Sequence, residues 1–172
     1  MSQFDPILAE LEHEAFTTRR ILERVPSDQL EWRPHEKSMS LGQLALHIAN
    51  IPGSISGMLA KDSLQVDPAA LGKPRVPGSK AEILATLETG LDQARNFLGS
   101  LTPESAEAVF RLTAGPFELF AMPRVAAVRA IMLNHWYHHR GQLTVYLRLL
   151  NVPVPIIYGA SADENPLAQP AN

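Results

Sequence analysis

Residues 133–150 read LNHWYHHRGQLTVYLRLL and set three histidines, His135, His138 and His139, inside an otherwise amphipathic helical run. At the rotation of an α-helix, His135 and His139 stand about 40° apart on the helical wheel, with Val128 and Tyr146 between them and Met132 just beyond. Both imidazoles therefore occupy the middle of the apolar stripe, one turn apart. His138 lies about 60° to the other side, at the edge of the stripe, while Arg140 and, roughly, Gly141 lie on the far side. A packed helix normally spends such positions on leucine. An i, i+4 histidine pair offers a reason for the exception, since two ring nitrogens can reach a single ion.

The run that holds this pair is the last of four helical segments. It starts near Pro123 and continues to about Leu150, where NVPVP stops it. The first segment spans about Pro6 to Val25, with Pro6 in a first-turn position and Leu8, Leu11, Ala15, Thr18, Leu22 and Val25 on one face. The second begins at SLGQL: Ser40 can cap the first turn while Gln43 reaches back, and Leu41, Leu44, Ile48 and Ile51 mark its buried side. Pro52, Gly53 and Gly57 leave its later course open, with a kinked continuation as one option. The third opens on a second such box, Ser79 with Glu82, and carries Leu84, Leu87, Leu91, Ala94 and Leu98. Between the second and third helices, Lys61 to Gly78 contains Pro68, Gly72, Pro74, Pro77 and Gly78 and reads as a long crossover loop. LTPESAEAVFRLTAGPFELFAMP connects the third and fourth, with a short extended piece around AVFRL as an option. The expectation is an all-α four-helix bundle, residues 1–172 as a single domain, with the tail VPVPIIYGASADENP folded back over it.

Two ligands do not make a tight site, and a third must come from another helix facing the same core. His47 in LGQLALHIANIPG qualifies, three residues after Leu44 and four before Ile51 on the inward side of the second helix. His47, His135 and His139 would give three nitrogen ligands and leave positions open, the arrangement of a catalytic metal. From the residues alone a rival stands beside this one: histidines on one stripe can form a polar core layer, each ring hydrogen-bonded and no ion involved. His138 belongs either behind the ligands as an outer partner or at the rim, and His13 and His35 read as surface or local-contact residues.

Composition narrows the function. With 172 residues the chain can bury a core without disulfides or a structural metal. A formal charge of −3 leaves no basic footprint, which argues against nucleic acid and against an anionic membrane surface. Cysteine is absent, so any metal chemistry runs on histidine and carboxylate and no protein thiol serves as nucleophile. The N-terminal MSQFDPILAELEHEAF has neither the apolar run of a signal peptide nor that of an anchor, and a cytoplasmic protein is expected.

Two segments resemble a known family. NHWYHHRGQLTVYLRLLNVPVPIIYGASADE is similar to the C-terminal signature of the DinB family (DinB/YfiT-like metalloenzymes), and LEWRPHEKSMSLGQLALHIANIPG to its other marker. The resemblance implies a four-helix bundle holding one divalent ion, zinc or nickel in most cases, through histidines that map to His47, His135 and His139. Iron or copper would also accept histidine-only coordination. It further implies a metal-dependent transferase using a low-molecular-weight thiol such as bacillithiol, mycothiol or glutathione, acting on a small-molecule substrate, and a homodimer. A metal-dependent hydrolase and a non-catalytic metal-binding bundle used for stability or sensing are the alternatives. Among nearby residues, Tyr146 could donate a hydrogen bond near the ion or pack in the core with its hydroxyl satisfied. Asn50 is at best an outer partner of the ligands. Arg140 and Gln142 are expected in tertiary or interface hydrogen bonds, with an anionic substrate as the other option. Gly141 is expected to allow close helix approach, and Trp32 and Trp136 to pack.

Overall fold

The computed structural model describes residues 4–67, 69 and 74–167; Pro68 and Gly72 of the expected crossover lie outside them. In chain order the main elements are α1 (Asp5–Glu23), α2 (Leu41–Leu59), β1 (Ser63–Val66), α3 (Lys80–Ser100), α4 (Pro103–Glu107), β2 (Val109–Ala114), β3 (Phe117–Pro123), α5 (Arg124–Ala127), a π-helical segment (Val128–Leu133) and α6 (Asn134–Leu149). The chain is mostly helical, as expected, but it is not all-α.

The correction is a three-stranded sheet in the order β1-β2-β3. β2 and β3 form a hairpin around Gly115, whose φ of +57° suits a residue without a Cβ. Phe110 and Leu112 face Met122 and Phe120 across the ladder, and Phe110 is completely buried. β2 contains the AVFRL segment for which an extended piece was an option. β1 lies within the expected crossover loop and pairs in parallel with β2, Ser63 opposite Arg111, across almost fifty residues of chain.

Helix ends follow local chemistry. Ser40 accepts from the Gln43 amide at 3.3 Å and the Gln43 side chain accepts from the Ser40 N–H at 2.8 Å, so both halves of the expected capping box form at α2. At α3 only half forms: Ser79 accepts from the Glu82 amide at 3.2 Å, while the Glu82 carboxylate turns to the Gly78 N–H at 2.7 Å. α6 ends in a Schellman motif, with Asn151 left-handed at φ 57° and the Val152 N–H reaching the Leu147 carbonyl at 2.9 Å.

α2 packs on α3 and α6, and α1 packs on the same two helices. The α2–α3 crossing is close because two glycines meet: a Cβ on Gly53 would sit 2.8 Å from the Gly90 Cα. Gly141 has no such role, since nothing lies within 4 Å of where its Cβ would be. After α6 the tail returns over α1 and α6. Glu164 pairs with Arg20 at 2.5 Å and Arg24 at 2.9 Å, and Asp163 pairs with Arg148 at 2.5 Å. Among the described residues no helix is long and apolar enough to cross a membrane.

Candidate metal centre

α2 and α6 face each other across the core, and the three histidines meet between them. The Nε2 atoms of His47 and His135 are 3.4 Å apart, and those of His135 and His139 are 2.8 Å apart. One ligand nitrogen from each ring lies within 4.8 Å of the other two. A tetrahedral zinc–imidazole centre separates neighbouring nitrogens by roughly 3.3 Å, so small ring movements would accommodate an ion.

A proline sets the facing of the two helices. Pro52 continues α2 without an N–H, which leaves the Ile48 carbonyl without its helical donor. The indole of Trp136 fills the gap, donating to the Ile48 oxygen at 2.9 Å from a completely buried position. Ile48 follows His47 and Trp136 follows His135, so this one bond registers the ligand-bearing turn of α2 against that of α6. Trp136 was expected only to pack. Its hydrogen bond is what makes an uninterrupted α2 tolerable, and it resolves the open course of that helix.

Both α6 members of the cluster, His135 and His139, have an outer partner. His139 Nδ1 lies 2.7 Å from the amide oxygen of Gln142, one turn on. The His135 ring hydrogen-bonds the backbone at Ile131, inside the π segment, where the Asn134 N–H reaches back five residues to Arg129. π turns recur at functional sites. An acceptor on the outer side of each ring favours the tautomer that turns an Nε2 lone pair inward, the form in which imidazole binds a metal. At 2.8 Å this contact is satisfied either by a proton on one of the two nitrogens or by a cation shared between them.

A second, charging proton on any of the rings is disfavoured. Burial, together with the neighbouring His139 and His135, pushes the His47 pKa down to about 4. Burial also lowers His135 and His139, against the opposing pull of Ile131 and Gln142 respectively. All three rings are neutral near pH 7, the protonation state a metal ligand requires.

A sequence model of the DinB superfamily matches residues 10–143, a span that includes all three histidines. The chain belongs to the DinB superfamily. It is 28% identical over 161 residues to YrdA, an uncharacterised protein of Bacillus subtilis (strain 168), covering 93% of this chain and 90% of that one. Its fold is similar to that of a DinB-like protein from Bacillus cereus, with TM-score 0.67, 22% identity, and 88% of this chain and 95% of that one covered. It is also similar to YjoA, a DinB-like protein from Bacillus subtilis, with TM-score 0.65, 20% identity, and 88% and 97% covered.

In this DinB chain the remaining candidates separate cleanly. The Tyr146 hydroxyl donates to the Met39 carbonyl at 3.2 Å and its ring meets Trp32 edge-on, which is the packing role. His138 is exposed beside His139, ring centroids 5.0 Å apart, which is the rim position of the two expected for it. His13 and His35 are exposed, with His35 accepting only from the nearby Lys37 amide. Asn50 is exposed and borders a cavity next to His47. Arg140 makes the tertiary hydrogen bonds expected of it, to α1. Gln142 is the residue whose role was not foreseen; its position three residues after His139 was the available signal.

Proposed function

We propose that this DinB-superfamily chain is a metal-dependent enzyme in which His47, His135 and His139 hold one divalent ion, zinc or nickel first among candidates. The observation that carries the reading is the convergence of three imidazoles, each held neutral by burial, with one ring nitrogen apiece within 4.8 Å of the other two. Three protein ligands leave coordination positions for a substrate, the pattern of a catalytic rather than a structural ion.

The reaction class we assign is transfer to or from a low-molecular-weight thiol. A bound divalent ion would supply Lewis acidity that lowers the thiol pKa, making good the absence of cysteine from the chain. The protein's own part is positional. Gln142 and the Ile131 carbonyl hold the α6 rings in one tautomer and orientation, and the Trp136–Ile48 bond keeps His47 opposite them. Burial keeps all three rings neutral and ready to bind.

The test is elemental analysis of protein purified without a nickel column, followed by a thiol-conjugation screen of the loaded form. Close to one equivalent of divalent metal, lost in His47→Gln and His135→Gln variants that still fold, is the expected result. Metal content unchanged by both substitutions would refute the site. A loaded protein that conjugates no thiol would refute the reaction class alone.

A further inference from the structure

His47 also borders a cavity of about 410 Å³, walled by Gln43 and Asn50 of α2, Pro74 and Arg75 of the crossover segment, and Thr86 of α3. The volume suits a small organic molecule. An adjoining hollow shares Asn50 and Thr86 and extends the space along the α2–α3 seam.

The walls are built rather than incidental. Gln43, whose side-chain oxygen caps Ser40, donates its amide to the Pro74 carbonyl at 2.6 Å, and so ties the crossover segment to α2. The next residue is Arg75. Its guanidinium pairs with Glu82, which is itself held by the Gly78 N–H at 2.7 Å, while its side chain stays 61% exposed. A guanidinium carries five N–H donors, and one carboxylate cannot occupy them all. On the neighbouring wall the Thr86 hydroxyl donates to the Glu82 carbonyl at 2.8 Å, leaving its oxygen able to accept. The lining therefore has one cation, amide and hydroxyl groups, and at one margin a ring of the three-histidine cluster.

We propose that this cavity binds a small polar molecule through a carboxylate held at Arg75, with its amide or hydroxyl groups against Asn50 and Thr86 and its other end at His47. A monoanion fits better than a phosphate because Glu82 already offsets part of the Arg75 charge. The proposal rests on the metal-dependent reading and adds the chemical class of the molecule converted.

The test is an NMR titration of the zinc-loaded protein with glutathione, its dimethyl ester and S-methylglutathione. Glutathione is expected to bind about tenfold more tightly than the ester, as one charge-assisted hydrogen bond allows, and to shift the Asn50 and Thr86 amide resonances. Arg75→Gln should abolish that difference while leaving the affinity of the ester unchanged. Equal binding of tripeptide and ester, equal weakening of both by Arg75→Gln, or unmoved Asn50 and Thr86 resonances with every probe would each overturn the proposal. The thiol reading is scored separately, by a thiolate-to-metal charge-transfer band in cobalt-loaded protein. If that band is missing while S-methylglutathione still gives Arg75-dependent shifts, the thiol assignment falls and the carboxylate site stands.

Discussion

His139 and Arg140 are neighbours on α6, both polar, and the fold treats them in opposite ways. Arg140 is only 1% exposed and is surrounded by partners. It bonds the Glu14 carboxylate, the Glu14 carbonyl at 3.2 Å and the Thr18 hydroxyl at 3.1 Å, and it lies between the rings of Tyr137 and Tyr158 at 5.2 and 5.1 Å. Its Nε alone, among buried side-chain polar atoms of the described residues, lacks a partner. His139 is half-buried, held from outside by Gln142, and aims its other nitrogen at a second imidazole. In a polar group serving stability the charge is met by its neighbours, Nε of Arg140 excepted, because an unmet buried charge is costly. A polar group kept for a ligand is oriented on one side and meets only another such group on the other.

The most severe way to break this contrast is to remove Arg140. Arg140→Ala strands the buried Glu14 carboxylate and should cost roughly 3–5 kcal/mol in urea unfolding. His139→Leu, one residue away, should leave the metal-free protein as stable as the parent or more so, because it replaces a half-buried imidazole with an apolar side chain. A large loss of metal-free stability in His139→Leu would mean that the histidines are a structural polar layer.

Trp136→Phe keeps the ring packing and deletes the donor to Ile48, so the cost should be about 1–3 kcal/mol in the same measurement. Pro52→Ala restores the missing helical N–H, and in that background the substitution should cost much less. Equal cost in both backgrounds would remove the link between proline and indole.

Gln142→Leu should weaken metal binding by roughly 10–100-fold in a competition with a chromophoric chelator, at nearly unchanged stability. Unchanged affinity would reduce the Gln142–His139 bond to surface decoration.

The smallest effect concerns the tail. Asp163 is held below its usual pKa first by Arg148, and Glu164 first by the Ile156 N–H with Arg20 adding to it. For carboxyls lowered in the folded state, the stabilising contribution is complete above the ordinary values of 3.8 and 4.5 and fades as pH falls through the folded ones. The Tyr158 ring resonance should therefore move toward its free-chain position as pH drops below about 4.5, before the Trp136 resonance changes. Simultaneous change would show that the tail and the core unfold together.

Much of the site is legible along the chain. The i, i+4 spacing places His135 and His139 on one face, and the Leu44–His47–Ile51 spacing turns His47 inward, because both follow from helical geometry. The caps at Ser40 and Ser79 are likewise local, although Glu82 chose Gly78 over the cap residue's own N–H. β1 was not legible: Ser63–Val66 has one partly buried apolar residue besides its last, Leu64, and its partner strand lies far away in the chain. Gly141 looked like a packing glycine, yet the close approach went to Gly53 and Gly90 between α2 and α3. Which helix faces are pressed together is a property of the pair, and no single helix displays it.

The sequence by itself determined which side chains share a face, where helices begin, and that three imidazoles point inward, since each follows from the repeat of one helix and the chemistry of its first turn. Only the tertiary structure decided that the three rings meet, that an indole from α6 supplies the hydrogen bond Pro52 removes from α2, and that Arg75 reaches the cavity beside His47. Those are contacts between segments remote in sequence, and they are set by how close-packed faces fit rather than by any local preference.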